Sequence, residues 1–149
     1  MASILTFAET RGGALRRPSL EAVSEARRLA DASSGRVVSV LIGPADDSAV
    51  AALGAHGADK VIRFASDGFA AYSSESYARA LARAVETESP DAVFVPFTST
   101  GRDLAPRVAF LTGGGLVSDC ASFELADGRL VAKRSQYSGK MVATFTWAS

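Results

Sequence analysis

Short apolar runs rich in β-branched residues alternate along this chain with segments of helical periodicity, and that alternation constrains the fold more than any other feature. Arg36 to Ile42 reads Arg-Val-Val-Ser-Val-Leu-Ile, and Ala92 to Val95 reads Ala-Val-Phe-Val. Runs of this kind, apolar almost throughout and four to eight residues long, suit strands covered on both faces. Ser3 to Ala8 and Ala58 to Phe64 supply two more. Between them lie amphipathic stretches. Leu20, Val23, Ala26 and Ala30 recur at three- and four-residue spacing after Pro18-Ser19, with Ser19 as the expected N-cap and Gly35 closing the helix. Ser48 to Leu53 forms a short helix. Ser74 to Glu88 stacks Tyr77, Leu81 and Val85 on one side and stops at Ser89-Pro90, and Gly101 to Thr112 turns Leu104, Val108 and Leu111 inward. Strands separated by helices imply a parallel sheet with right-handed crossovers.

After Gly113-Gly114-Gly115 the pattern changes. Ser122 to Leu125, Arg129 to Lys133 and Met141 to Trp147 read as antiparallel strands, the first two joined by an Asp-Gly turn at Asp127-Gly128. The expected fold class is therefore α/β, three-layered and mostly parallel, with a β-rich C-terminal tail. Residues 1–149 form a single domain, long enough to bury a sizeable core.

Composition narrows the function. Sixteen Lys and Arg balance sixteen Asp and Glu, so no basic excess points to nucleic acid. No apolar run approaches the roughly 20 residues that span a bilayer, and no basic region precedes the apolar start as a secretory signal would require. Cys120 is the only cysteine, so no intrachain disulfide forms, and the expected setting is a reducing, cytoplasmic one. His56 is the only histidine, which rules out a histidine cluster or a Ser-His-Asp triad within the chain. It reads as a turn residue before the third strand, and Cys120 as inert packing.

Nucleotide motifs fail one by one. Gly113 and Gly115 have the first spacing of G-x-G-x-x-G, but Ser118 stands where the third glycine belongs. Gly139-Lys140 lacks the preceding glycine and following hydroxyl of a P-loop, because Arg134 and Met141 occupy those positions. No G-x-S-x-G elbow is present. Thr98-Ser99-Thr100-Gly101-Arg102 remains open to two readings. It follows a strand and starts a helix, so its amides and hydroxyls suit a phosphate, or else one hydroxyl simply caps the helix. Asp103 complements the helix dipole and is placed to pair with Arg102 or Arg107, and Pro106 falls near the first turn. Tyr137-Ser138-Gly139-Lys140 reads as a polar loop before the last strand.

Six pieces in order resemble one family. They are Leu5-Thr6-Phe7-Ala8-Glu9, Ser19-Leu20-Glu21-Ala22, Gly57-Ala58-Asp59-Lys60-Val61, Gly101-Arg102-Asp103-Leu104-Ala105-Pro106-Arg107, the turn Leu116-Val117-Ser118-Asp119, and Tyr137-Ser138-Gly139-Lys140. Together they resemble the N-terminal domain of the electron-transfer flavoprotein alpha subunit. The resemblance implies a Rossmann-like fold of the adenine-nucleotide alpha-hydrolase type, and a role as scaffold and heterodimer partner of the beta subunit. The whole protein would shuttle electrons from flavin dehydrogenases to an electron-transport acceptor. The FAD site of such proteins lies mostly in a second domain, which this sequence does not reach. The chain is thus expected to be a fragment with no cofactor and no redox step of its own. Arg102, Asp103, Arg107, Ser118, Asp119, Tyr137 and Lys140 are the expected partner contacts. The alternative is a free-standing adenine-nucleotide-binding module of the same fold, holding phosphate at Thr98 to Arg102.

Overall fold

In the computed structural model, residues 2–126, 129–134 and 141–145 are described. Their strands are β1 (Ser3–Ala8), β2 (Thr10–Arg11), β3 (Ala14–Leu15), β4 (Arg36–Ile42), β5 (Lys60–Phe64), β6 (Ala92–Pro96), β7 (Gly115–Ala126), β8 (Arg129–Arg134) and β9 (Met141–Phe145). The helices are α1 (Arg17–Ala32), α2 (Asp47–His56), α3 (Ser74–Glu88) and α4 (Ser99–Thr112). Seven strands form one sheet in the order β5-β4-β1-β6-β9-β7-β8. The first four are parallel, and β9, β7 and β8 extend that sheet antiparallel. The small β2–β3 hairpin follows β1 directly.

Period-two alternation explains the three layers. Ile4, Ala8, Val37, Leu41, Ala92 and Phe94 face α1 and α2 in one core, with Ala22, Val23, Ala26 and Leu29 of α1. Leu5, Phe7, Val40, Ile42, Val93 and Val95 face the other way, against Tyr77, Leu81 and Val85 of α3 and Leu104 and Val108 of α4. Each fully buried strand thus feeds two cores at once, which is why its sequence is apolar at almost every position. The exception lies between β1 and β4, where Thr6 and Ser39 are both fully buried and satisfy each other through a hydroxyl pair at 2.7 Å.

The structure departs from the sequence reading at several points. Helix α1 starts at Arg17, with Arg16 as a cap that makes no side-chain bond. Ser19 is not the N-cap; its hydroxyl accepts the Glu9 amide at 2.7 Å and pins the end of β1 to the helix. Leu111 is 47% exposed rather than inward, because α4 turns it past the seam where Leu104 and Val108 meet α3. Pro106 sits in the body of α4, not its first turn, and so cannot donate to the Arg102 carbonyl one turn back. His56 ends α2, its Nδ1 within 2.8 Å of the Ala52 carbonyl, so α2 runs through the expected turn. Leu116-Val117-Ser118-Asp119 is no turn but part of the long strand β7. That strand reaches back to α1: Phe123 stacks on Phe94 at 4.4 Å, and Arg28 donates to the Phe123 carbonyl at 2.7 Å. The expected Asp127-Gly128 turn lies outside the described residues.

Candidate functional site

Helices α1 and α2 serve crossovers to one side of β1, while α3 carries the chain back to β6 on the other side. The strand order therefore reverses between β1 and β6. In open α/β sheets the crevice at the C-terminal ends of such a pair is where ligands bind. Here that crevice is built by Glu9, which follows β1, and by the Pro96 to Gly101 turn that starts α4.

The turn is tight for a local reason. A Cβ on Gly101 would lie 1.8 Å from the Pro96 carbonyl oxygen, so no larger residue fits without moving the backbone. Thr98 is the N-cap, its hydroxyl accepting the Gly101 amide at 3.0 Å. The same hydroxyl donates to Glu9 Oε2 at 2.7 Å. Glu9 is only 7% exposed, and Arg16 Nη1 stands 3.5 Å from its other oxygen. The place where a phosphate would sit is thus faced by the chain's own carboxylate. Of the two readings open for Thr98 to Arg102, the structure shows the cap. Glu9 entered the sequence reading only within the family-like segment Leu5 to Glu9 and not as a site residue, although a charged residue ending a largely apolar strand was the available signal.

The expected contact residues divide into three groups. Arg102, Asp103 and Arg107 share the exposed side of α4. Arg102 lies over the Phe97 ring at 5.3 Å, while Asp103 pairs with Arg107 at 3.8 Å and accepts the Tyr72 hydroxyl at 2.6 Å. The Tyr72 hydrogen bond, with Ser74 and Arg107 adding to it, holds the Asp103 carboxyl below its ordinary range. Phe110, 87% exposed, extends this face. Ser118 and Asp119 lie in β7 where its register against β9 shifts, between Val117 and Cys120. Cys120 is level with Met141, and Met141 with Pro96, so this irregularity falls toward the same sheet edge as Thr98. Tyr137 and Lys140 lie outside the described residues.

Gly57-Ala58-Asp59-Lys60 works at the opposite edge. Gly57 has φ +127° and a Cβ there would lie 2.6 Å from Arg27. Asp59 accepts the Val37 amide and Arg27 Nη1, each at 2.9 Å. The Val37 amide first, then Arg27, holds its carboxyl below the ordinary range against burial. Lys60 Nζ reaches buried Glu88 at 2.6 Å, where Arg36 also arrives at 3.0 Å. These residues tie α1 and α3 to the strand starts, far from the crevice. No group of three or more His, Cys, Asp or Glu among the described residues is placed to hold a metal, and no helix is long and apolar enough to cross a membrane.

A four-stranded parallel sheet between two layers of helices, with its strand order reversing between β1 and β6, defines an α/β domain of the three-layer, Rossmann-like class. The chain belongs to the electron transfer flavoprotein domain family, whose model matches residues 4–149. It is 33% identical to the electron transfer flavoprotein subunit alpha of Clostridium acetobutylicum over 95% of this chain and 43% of that protein. It is 34% identical to Protein FixB of Clostridium saccharobutylicum over 95% of this chain and 42% of that protein. The acryloyl-CoA reductase electron transfer subunit beta of Anaerotignum propionicum matches at 33% over 97% of this chain and 39% of that protein. The chain therefore spans about two fifths of the length of these curated relatives.

Proposed function

We propose that this domain serves as the N-terminal scaffold of an electron transfer flavoprotein alpha subunit and docks with the beta subunit, in a cytoplasmic protein that carries electrons from flavin dehydrogenases to an electron-transport acceptor. The observation that carries this reading is the outer face of α4, which presents Arg102, Arg107 and an 87% exposed Phe110 on the helix that bears the family-like motif. A phenylalanine with a mixed rim of arginines and carboxylates is the composition of an interface anchor.

What weighs against FAD in the crevice is charge: a pyrophosphate there would meet the Glu9 carboxylate, and like charges in a partly dry site repel strongly. In this reading FAD belongs to the remaining part of a full-length subunit, and the domain contributes binding and orientation with no redox step. The same repulsion weighs against the free-standing adenine-nucleotide module.

Gel filtration with light scattering on a mixture of this domain and its purified beta subunit tests the reading. A one-to-one complex is the expected result. Two separate peaks at micromolar concentrations, with an adenine-nucleotide analogue bound instead, would overturn it.

A further inference from the structure

Between β5 and α3 the chain crosses the C-terminal edge of the parallel strands as a strap, residues 65–73. All of these residues are exposed except Phe69, which is half-buried. Their backbone bonds are local. The Phe69 amide donates to the Ser66 carbonyl at 3.0 Å and the Ala70 amide to the Asp67 carbonyl at 3.1 Å, which makes the single turn Asp67–Phe69. Among the described residues, no backbone hydrogen bond ties the strap to β1, β4 or α4. It nevertheless lies directly on the end of β4, because a Cβ on Gly43 would stand 2.8 Å from the Phe69 carbonyl oxygen.

Side chains supply the attachment. Tyr77 of α3 donates its hydroxyl to the Phe69 carbonyl at 2.9 Å, and the Phe69 and Tyr72 rings meet the Tyr77 ring edge to face, at 5.8 and 4.9 Å. Phe69 also meets Phe64 at 6.1 Å. These contacts join the strap to the two elements that flank it in sequence. Among the described residues, the one hydrogen bond from the strap to a remote element runs from the Tyr72 hydroxyl to Asp103 of α4, 31 residues away, at 2.6 Å. A phenol on a carboxylate at that distance makes a strong, charge-assisted bond. Ala70 and Tyr72 line a cavity of about 230 Å³, whose walls also include Phe7, Ile42 and Tyr77 and the Gly12-Gly13 turn of the β2–β3 hairpin. Phe7 and Ile42 are both buried.

We propose that residues 65–73 are a movable strap over the switch-point crevice and that the Tyr72–Asp103 bond is its latch. When that bond breaks, the strap lifts and solvent reaches the Phe7 and Ile42 side chains. An exposed segment with few buried contacts opens at far lower free energy than the core does. The strength of one charge-assisted bond therefore sets how much of the time the crevice stays closed. The Asp67–Phe69 turn is lost on lifting, because so short a helix is unstable in water once Phe69 leaves Tyr77. The latch goes beyond the docking reading and does not depend on it, since Asp103 holds Tyr72 whether or not α4 meets the beta subunit.

Amide hydrogen exchange followed by NMR tests the latch in the wild type, Tyr72→Phe, Asp103→Ala and the double variant. Tyr72→Phe keeps the ring and removes only the hydroxyl. The Phe69 and Ala70 amides should exchange about tenfold faster in each single variant, the scale of one lost hydrogen bond to a charged group. The Leu81 amide, in the buried part of α3, should not change. The double variant should be no faster than either single one, because both remove the same bond. Access to the crevice is read by thiol labelling in a Cys120→Ser chain. Tyr72→Phe should speed labelling of an Ile42→Cys reporter about tenfold and leave a Leu29→Cys control, in the core on the other face of the sheet, unchanged. If Ile42→Cys does not fold, the exchange data decide alone. Unchanged exchange at Phe69 and Ala70 in Tyr72→Phe, equal acceleration at Leu81, or additive effects of the two variants would overturn the latch. Labelling of Ile42→Cys that Tyr72→Phe leaves unmoved would overturn the closure of the crevice by the strap.

Discussion

The Thr98 hydroxyl donates to Glu9 Oε2 at 2.7 Å while accepting the Gly101 amide at 3.0 Å, so one side chain joins the end of β1 to the start of α4. Glu9 is anchored from behind as well, because Ser19 accepts its amide and Arg16 donates a backbone bond to its carbonyl. The switch point of the sheet is thus closed by a chain of hydrogen bonds that runs from α1 through β1 to α4. The end of β1 and the start of α4 are held in one hydrogen-bonded junction.

Removing that hydroxyl should be costly. Thr98→Val keeps the shape but loses the cap and leaves the buried Glu9 carboxylate without its short donor. Such a change should destabilise the domain by about 2–4 kcal/mol, the sum of a lost cap and an under-satisfied charged acceptor. Thr98→Ser keeps the hydroxyl and should cost under about 1 kcal/mol. Urea unfolding followed by circular dichroism measures both. Equal midpoints for Val and Ser would show that the junction contributes nothing.

Two glycines on helices separate local propensity from close approach. Gly101→Ala places a Cβ 1.8 Å from a backbone carbonyl, which no rotamer relieves. Its expected cost exceeds about 3 kcal/mol, at the severe end for a single substitution. Gly54 lies in α2 with nothing within 4 Å of an added Cβ. Gly54→Ala should therefore stabilise by up to about 1 kcal/mol through helix propensity. Thermal melts of the two variants should move in opposite directions.

Acid should loosen the ion pairs that hold Glu88. Its side chain is 4% exposed between Lys60 and Arg36. The Lys60 hydrogen bond holds its carboxyl below the ordinary value of 4.5, against burial and with help from Arg36. A depressed carboxyl contributes stability that is fully present above its unfolded pKa and is lost as pH falls through the folded one. The urea midpoint should fall below about pH 4.5, and Glu88→Gln should flatten that fall while lowering stability at pH 7 by about 1–3 kcal/mol. An acid limb of unchanged steepness in Glu88→Gln would remove Glu88 from the account.

The three-layer pattern was legible because burial on both faces leaves an apolar signal in most residues of β1, β4 and β6, and α3 was found at Ser74 to Glu88 because a periodic face ends at Ser89-Pro90. The errors came where a residue's partner is remote in sequence. Ser19 looks like a cap but bonds Glu9 ten positions away, and Leu111 keeps helical spacing yet passes the seam. Glu9 and Thr98 stand 89 residues apart, and no local pattern joins them. Gly57-Ala58-Asp59-Lys60 could be recognised as a motif, but its work on Val37, Arg27 and Glu88 needed the strands in register.

The outer face of α4 gives the sharpest contrast between folding and docking. Phe110 is 87% exposed, so Phe110→Ser should change the stability of the free domain by no more than about 0.5 kcal/mol. Arg107 is half exposed and meets Asp103 only at 3.8 Å, a surface pair worth about 0–1 kcal/mol. Arg107→Glu should be nearly as quiet in unfolding experiments. Against the beta subunit the two variants should behave differently from the wild type. Loss of a central aromatic anchor should weaken the complex by about 2 kcal/mol, or roughly thirtyfold in Kd, and the charge reversal by about tenfold. Arg102 is the informative third case, because it also covers Phe97 within its own chain. Arg102→Glu should therefore lower stability slightly and affinity more. Calorimetric titration beside urea unfolding separates the two effects. If all three variants bind the beta subunit as tightly as the wild type, this face is not the interface, and the heterodimer must form through another surface of the domain.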